Sequence, residues 1–227
     1  KLNDQSYYQH QHNHCDLLVV GGGPAGLAEA LSAAEEGQSV LLVDDQSEFG
    51  GSLLWEEPGV KESESASSKQ WLKDSVTRLQ QLDNVTLLPR TQIFAYYDHN
   101  VLAAIERVTD HQNIANLNDS KSPRQRLWKI RANKVVLATG AIERPLTFVN
   151  NDRPGIMLAA AVRHYINRYG VLSGRQVVVV TNNNSAYKTA LDLAAKGVDV
   201  RVIDVRANPQ GGLVKRVQEK RIPIYAG

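Results

Sequence analysis

Short apolar runs alternate with amphipathic stretches along the first 90 residues. Residues 16–20 and 40–43 are almost wholly apolar, which is typical of parallel strands buried on both faces. Between these runs, a glycine-rich turn at 21–26 opens a stretch of Ala and Leu that ends at Gly37, as expected for a helix with a left-handed C-terminal residue. This order predicts a right-handed parallel crossover, and therefore an α/β fold with a doubly wound parallel sheet.

The pattern changes after this first crossover. A capping box at residues 67–70 predicts a second helix that runs to about Leu82. A third strand is expected at 85–88. Strand-like segments between residues 92 and 131 predict an antiparallel meander, interrupted by a polar loop at 109–125 that we expect to be exposed and mobile. Residues 135–138 then return as a separate buried strand.

The last third of the chain repeats the strand, turn, helix and strand order of the first crossover, but its turn lacks the glycines. Residues 158–169 carry one apolar helical face, and strand, helix and strand follow at 176–180, 185–196 and 198–203. We therefore expect three parts, namely a linker at 1–15, a dinucleotide-binding domain with its meander at 16–145, and a second, degenerate and incomplete Rossmann-like unit at 146–227.

Composition narrows the class of protein. With 42% hydrophobic and 22% charged residues the chain is globular. The net charge is −5 for residues 1–140 and +7 for 141–227, but the basic charges are scattered, which favours a solvated surface over a nucleic-acid partner. No apolar run approaches the ~18 residues of a membrane span, and a single cysteine permits no internal disulfide, so a cytoplasmic location is expected.

The turn at 21–26 has the glycine spacing of a dinucleotide site. Gly21 permits the tight turn, Gly23 lets the backbone approach a pyrophosphate, and Gly26 allows the helix to pack on the strand. The diphosphate then lies at the helix N-terminus, and Asp44, at the end of the next strand, accepts hydrogen bonds from ribose hydroxyls. Asp44 and Asp45 would repel a ribose phosphate, so NAD or FAD is favoured over NADP. The alternative is a turn that keeps its glycines for packing alone.

The second turn has lost this spacing. Thr181, Asn183 and Ala186 stand where the three glycines would be, and a Cβ at the middle position obstructs close backbone approach. We favour a packing role over dinucleotide binding here. Asp204 is correspondingly expected to be an exposed acid at a strand end.

The remaining candidate ligands are weaker. His10, His12, His14 and Cys15 alternate and can in principle ligate a metal, but their polar surroundings favour a linker, and we expect no metal site. His164 lies off the apolar stripe of its helix and is expected at the surface, as are the other histidines. No catalytic residue is identified.

Several motifs together resemble the two-dinucleotide-binding flavoprotein superfamily. They are the turn with Asp44, the doublet Gly50 and Gly51, and the strand end at 137–140. Residues 135–145 and 150–157 narrow the resemblance to the α subunit of heterotetrameric sarcosine oxidase, and it extends over nearly the whole chain. Because that subunit is far longer, the resemblance implies a fragment.

This resemblance implies a division of labour. The α subunit holds NAD noncovalently in this domain, the β subunit carries FAD and the amine-oxidation site, and FMN lies between subunits. The complex oxidatively demethylates sarcosine to glycine, produces hydrogen peroxide and can pass the one-carbon unit to tetrahydrofolate. The candidate cofactor-binding residues are Gly21, Gly22, Gly23, Pro24, Ala25, Gly26, Asp44, Asp45, Gln46, Gly51, Ser52, Thr139, Gly140 and Ala141.

Two alternatives remain. Related dehydrogenases that act on hydroxyproline, opines or glycine share such subunits, and a noncatalytic scaffold can hold a dinucleotide for structure alone. A self-contained disulfide reductase needs two neighbouring thiols, and only Cys15 is present.

Overall fold

The computed structural model describes residues 6–56, 62–112 and 122–227. The chain divides into two compact units: unit 1 is Lys1–Leu53 with Ala66–Gly140, and unit 2 is Leu54–Ser65 with Ala141–Gly227. Unit 1 contains β1 (Tyr8–Val20), α1 (Pro24–Glu35), β2 (Val40–Val43), most of α2 (Glu62–Gln80), β3 (Val85–Leu88), β4 (Thr91–Tyr97), β5 (Val101–Arg107) and β6 (Gln125–Leu137). Unit 2 contains α3 (Ala159–Tyr169), β7 (Gln176–Thr181), α4 (Tyr187–Ala195), β8 (Asp199–Asp204), α5 (Gly212–Glu219) and β9 (Ile224–Ala226).

Unit 1 is built on one mixed sheet in the order β3-β2-β1-β6-β5-β4. β3, β2, β1 and β6 run parallel, whereas β5 pairs antiparallel with both β6 and β4. The doubly wound parallel sheet with an antiparallel meander is thereby confirmed.

The apolar run of β1 is buried on both faces of this sheet. Leu17 and Val19 pack with Leu27 of α1 on one face, and Leu18 packs with Ile130 on the other. Because successive side chains of a strand point to opposite faces, an unbroken apolar run contributes to both cores.

Two strands of unit 1 are longer than the sequence predicts. Residues 8–15, expected as a linker, are the first part of β1 and pair with residues 125–132 of β6. His10, His12 and His14 are exposed while Cys15 is buried, so the cysteine does not share the histidines' face. β6 joins the two predicted segments at 127–131 and 135–138 into one strand, because β1 accompanies it over its full length.

Other boundaries also differ. α2 begins at Glu62, so the helix start predicted at residue 67 is wrong. Residues 113–121 of the predicted loop lie outside the described residues. Its first residue, Thr109, is buried and donates a hydrogen bond to the carbonyl of Pro123 (3.2 Å), whereas His111 and Gln112 are exposed as expected. Unit 1 ends at Gly140 rather than at residue 145.

Unit 2 has a parallel sheet in the order β7-β8-β9. Its core includes Tyr187 and Leu193 of α4, Val202 of β8 and Val217 of α5. α5 was not predicted, although Val214 and Val217 are buried on one of its faces. Its length of 8 residues and the flanking glycines conceal the helical period.

His164 of α3 is half-buried, and the expectation of a surface histidine is wrong. Its ring stacks between Trp55 (centroids 6.0 Å apart) and Tyr169 (5.4 Å). Its Nε2 atom is buried without a hydrogen-bond partner among the described residues. Burial, and then the charge of Arg168, lower the pKa of His164, which disfavours the protonated ring.

This environment predicts an acid-sensitive contribution to stability. Because the pKa of His164 is lower in the folded than in the unfolded chain, the unfolded chain takes up the proton first, and stability falls as the pH drops below about 6.5. Denaturant unfolding at pH 7.5 and 5.5 is expected to show a larger loss for the wild type than for His164→Phe, which keeps the stacking without the proton. Equal losses in the two proteins would refute this origin.

Candidate functional site

The first glycine of the turn is required by the chain's own packing. Gly21 has φ +104°, and its N–H donates to the carbonyl of Val43 (2.8 Å). A Cβ here would overlap the carbonyl of Ala138 at the end of β6. The turn therefore passes between the carboxyl ends of β2 and β6, where ligands of open α/β sheets bind.

The third glycine sets the distance between helix and strand. A Cβ at Gly26 would overlap the carbonyl oxygen of Gly21 and come within 3.2 Å of Val19 Cγ1. Only glycine lets α1 start this close to the end of β1. The N-terminus of the helix is thereby held directly above the strand.

The chain's own packing does not require a glycine at the middle position of the turn. Gly23 has φ −74° and ψ −176°, a conformation that any residue adopts, and the nearest atom to a Cβ built on it is Gly51 Cα at 4.0 Å. The side-chain space at Gly23 is open. The absence of a side chain at Gly23 therefore makes room for a group that is not part of the chain.

The start of α1 offers free backbone donors beside that space. Pro24 occupies the first helical turn, and no side chain caps the helix. The N–H groups of Ala25 and Gly26 lie in that turn, where a helix provides no carbonyl acceptor. Together with the helix dipole they favour an anion.

Gly22 and Asp44 are bound to each other. Gly22 N–H donates to Asp44 Oδ2 (2.6 Å), so the strand-end carboxylate points at the turn, and this N–H is not available to a diphosphate. The ring of Phe49 lies where a Gly22 Cβ would be. Phe49 is not among the predicted site residues, because nothing in its local pattern shows that it packs on the turn.

The loop after β2 is fixed by backbone contacts. Asp44 Oδ1 accepts from the N–H of Gln46 (2.8 Å), and the carbonyl of Asp44 accepts from the N–H of Thr91 (2.7 Å). Arg107 Nη2 donates to the carbonyl of Asp45 (2.6 Å). Arg107 comes from β5 and is another residue that sequence spacing did not reveal.

The glycine doublet lies against the turn. Gly50 N–H donates to the carbonyl of Gly22 (2.7 Å), and a Cβ at Gly51 would approach Gly23 Cα to 2.9 Å. Gly51 thus borders the open space at Gly23, and Ser52 follows it in the chain.

The predicted site residues 139–141, which follow β6, do not all lie at the turn. Thr139 N is 3.2 Å from a Cβ built on Gly21, so Thr139 borders the turn. Gly140 is exposed with φ +70°. Ala141 belongs to unit 2.

The rest of the described chain adds neither a metal cluster nor a membrane segment. No group of three or more His, Cys, Asp or Glu side chains comes together within the described ranges. None of the helices in those ranges is both long and apolar enough to cross a bilayer.

Comparison with known proteins agrees with this architecture. Residues 18–219 match the pyridine nucleotide-disulphide oxidoreductase family. The fold is similar to that of L-proline dehydrogenase from P. horikoshii, with a TM-score of 0.67 and 24% identity over 90% of this chain and 38% of that chain. At that identity the likeness concerns the fold.

The chain is also similar to parts of longer oxidase proteins. It is 46% identical over 94% of its length to the α subunit of sarcosine oxidase from Corynebacterium sp. (strain P-1), and covers 22% of that protein. It is 29% identical over 88% of its length to an opine oxidase subunit from Agrobacterium tumefaciens (strain Ach5), covering 39% of it. The chain thus spans about a fifth of the sarcosine oxidase subunit that it resembles.

These relatives are named as subunits, which implies multisubunit assemblies for them, and the family match supports a flavin or dinucleotide cofactor. The match covers most of the chain, including the turn at 21–26 and its counterpart in unit 2. The chain belongs to the pyridine nucleotide-disulphide oxidoreductase family.

Proposed function

We propose that unit 1 binds the diphosphate and ribose of a dinucleotide, NAD or alternatively FAD, within a sarcosine oxidase-like assembly. The observation that carries this proposal is the open side-chain space at Gly23, next to the uncapped start of α1. Packing explains Gly21 and Gly26, whereas only a group from outside the chain's own packing explains Gly23.

The residues at the turn fit such a group. The N–H groups of Ala25 and Gly26 would bind the diphosphate, and Asp44 would accept from ribose hydroxyls with the oxygen lone pairs that Gly22 and Gln46 leave free. Gly51, with Ser52 beside it, would border the diphosphate. When bound, a nicotinamide or flavin supplies hydride chemistry, while these residues hold and orient the nucleotide.

Charge favours a dinucleotide without a 2′-phosphate. Asp44 and the exposed Asp45 would repel that phosphate, and Arg107 already donates to the carbonyl of Asp45. NADP is therefore expected to bind more weakly than NAD.

The assembly is proposed from the relatives. The 46% identity to a sarcosine oxidase subunit, compared with 29% to an opine oxidase subunit, supports sarcosine as the substrate over opines. Sarcosine, oxygen and water would give glycine, formaldehyde and hydrogen peroxide, or the one-carbon unit would pass to tetrahydrofolate. We assign amine oxidation, FAD and FMN to other parts of a heterotetramer, and nucleotide holding to this chain.

The substitution Gly23→Asn tests the site directly. Asparagine fills the open space yet is a favoured residue at a helix N-cap, so the fold is expected to persist. Calorimetric titration with NAD and with FAD is expected to show saturable binding to the wild type and at least tenfold weaker binding to the variant.

Ala28→Asn is the matched control, since Ala28 lies on the exposed face of the same helix. It should bind like the wild type. Absence of binding to the wild type, or equal affinities for wild type and Gly23→Asn, would contradict the proposal.

A further inference from the structure

Unit 2 repeats the strand–turn–helix–strand plan of unit 1, with Asn183 in the place of Gly23 and Asp204 in the place of Asp44. A family named for a pyridine nucleotide makes this second turn the expected place for another dinucleotide. We infer that unit 2 binds none, because groups of unit 2 itself already bond the strand-end carboxylate and the N–H groups of Asn183, Ser185 and residues 187–189.

The strand-end carboxylate is fully occupied. Asp204 has no exposed surface. Its Oδ1 accepts from the backbone N–H of Arg206 (3.0 Å) and from Arg206 Nε (2.9 Å). Its Oδ2 accepts from Arg206 Nη2 (2.6 Å) and from the hydroxyl of Tyr187 (2.8 Å). No oxygen of this carboxylate remains for a ribose hydroxyl, and the expectation of an exposed acid is wrong.

Two sequence differences between the units explain why the carboxylate of Asp204 is fully hydrogen-bonded. Tyr187 stands where unit 1 has Leu27, and both side chains are fully buried. Arg206 stands where unit 1 has Gln46, which gives its backbone N–H, at 2.8 Å, to Asp44. The phenol and the guanidinium therefore supply the donors that a ligand's hydroxyls would otherwise supply.

Three backbone N–H groups at this turn and helix start also have acceptors within unit 2. The N–H of Asn183 donates to Thr181 Oγ1 (3.1 Å). The N–H and hydroxyl of Ser185 both donate to Asn183 Oδ1 (2.9 and 2.6 Å). The N–H of Tyr187 donates to the carbonyl of Asn184 (3.3 Å).

The helix start differs as well. α4 begins at Tyr187, several residues after Asn183, whereas α1 begins at Pro24 directly after Gly23. The second helix is therefore set back from the end of its strand. The N–H groups of Lys188 and Thr189 donate to carbonyls three residues earlier, which leaves the first turn of α4 without donors for a diphosphate.

Asn184 ties the closed turn to the loop after β8. Its Nδ2 donates to the carbonyl of Gln210 (2.8 Å), and its Oδ1 accepts from Arg206 Nη2 (2.8 Å). The turn, the strand end and the following loop are thus joined through polar side chains at the place where unit 1 is open.

Space is not what excludes a ligand. A cavity of about 940 Å³ runs along β7 and reaches the turn, with Ile156, Val178 and Val180 among its apolar lining residues. The cavity also touches Asn183 and Ser185, but their polar groups are bonded to each other. What unit 2 lacks is a free strand-end carboxylate and a helix start with free N–H groups.

Hydrogen–deuterium exchange on the full chain tests the inference with NAD, NADH and NADPH as separate probes, each at millimolar concentration. Nucleotide-dependent protection is expected in peptides that cover residues 21–28 and 44–52. No change is expected at 181–190 or 204–211. Protection at either of these unit 2 segments by any of the three probes would overturn the inference.

Two variants separate this result from the proposed function. In Gly23→Asn binding should be at least tenfold weaker, and protection at 181–190 by nucleotide that still binds would contradict the closure of unit 2. Arg206→Ala should lower the melting temperature yet leave the stoichiometry and affinity of the wild type unchanged, and a reduced affinity would equally count against it. Failure of the wild type to bind in unit 1 contradicts only the proposed function, since the exchange of unit 2 is read independently.

Discussion

Gly26→Ala is expected to destabilise the protein by about 3 kcal/mol or more, enough to prevent folding if unit 1 is marginal. The added methyl group would overlap the carbonyl oxygen of Gly21 and press on Val19 Cγ1. Neither the backbone nor the fully buried Val19 has room to move. Denaturant unfolding followed by circular dichroism measures the loss.

Gly23→Asn serves as the matched control within the same turn. Its side chain enters open space from an ordinary backbone conformation, so its free energy of unfolding should stay within about 1 kcal/mol of the wild type. A large loss in both variants would mean that the whole turn tolerates no side chain. Such a result would remove the distinction between packing glycines and a ligand glycine.

The fold was predictable where the signal is local. Residues 17–19 and 40–43 are buried on both faces, so their apolar runs predict strands without knowledge of their neighbours. The roles of Gly21 and Gly26 were also predictable from the sequence. The backbone conformation and the close approach of helix and strand that they allow both lie within one short turn. These elements define the doubly wound sheet and the turn in it.

The predictions that were wrong concern residues whose structure depends on partners elsewhere in the sequence. Residues 8–15 form a strand because residues 125–132 pair with them, and no local pattern reveals that pairing. Three of the four hydrogen bonds to Asp204 come from Arg206, two residues later, and the fourth comes from Tyr187 of another element. Whether a polar residue at a strand end is exposed or closed therefore depends on how neighbouring and more distant donors come together, which a single sequence does not display.

Asp204→Ala is expected to lower the stability of unit 2 by about 2–3 kcal/mol, the cost of leaving a buried hydroxyl without an acceptor and of losing charge-assisted hydrogen bonds. The change leaves the buried hydroxyl of Tyr187 without an acceptor and removes three contacts from the side chain and backbone of Arg206. Thermal unfolding followed by exchange of peptides from unit 2 locates the loss.

Asp199→Ala is the matched control, since Asp199 lies at the other end of β8 and also has an arginine two residues later. Its contact with Arg201 (3.4 Å) joins side chains that are 48% and 52% exposed, so its loss should cost at most about 1 kcal/mol. Similar losses in the two variants would show that burial of Asp204 contributes nothing to stability.

Acid titration separates the charge of Asp204 from its packing. Hydrogen bonds from the Arg206 side chain lower the pKa of Asp204 to about 2, below the ~3.9 of an unfolded aspartate. Because the folded carboxylate resists protonation, its contribution is complete above about pH 4 and is lost as the pH falls from there to about 2. Between pH 4 and 2 the wild type should therefore lose more stability than Asp204→Ala, and parallel losses would mean that the carboxylate is not held as an anion by Arg206.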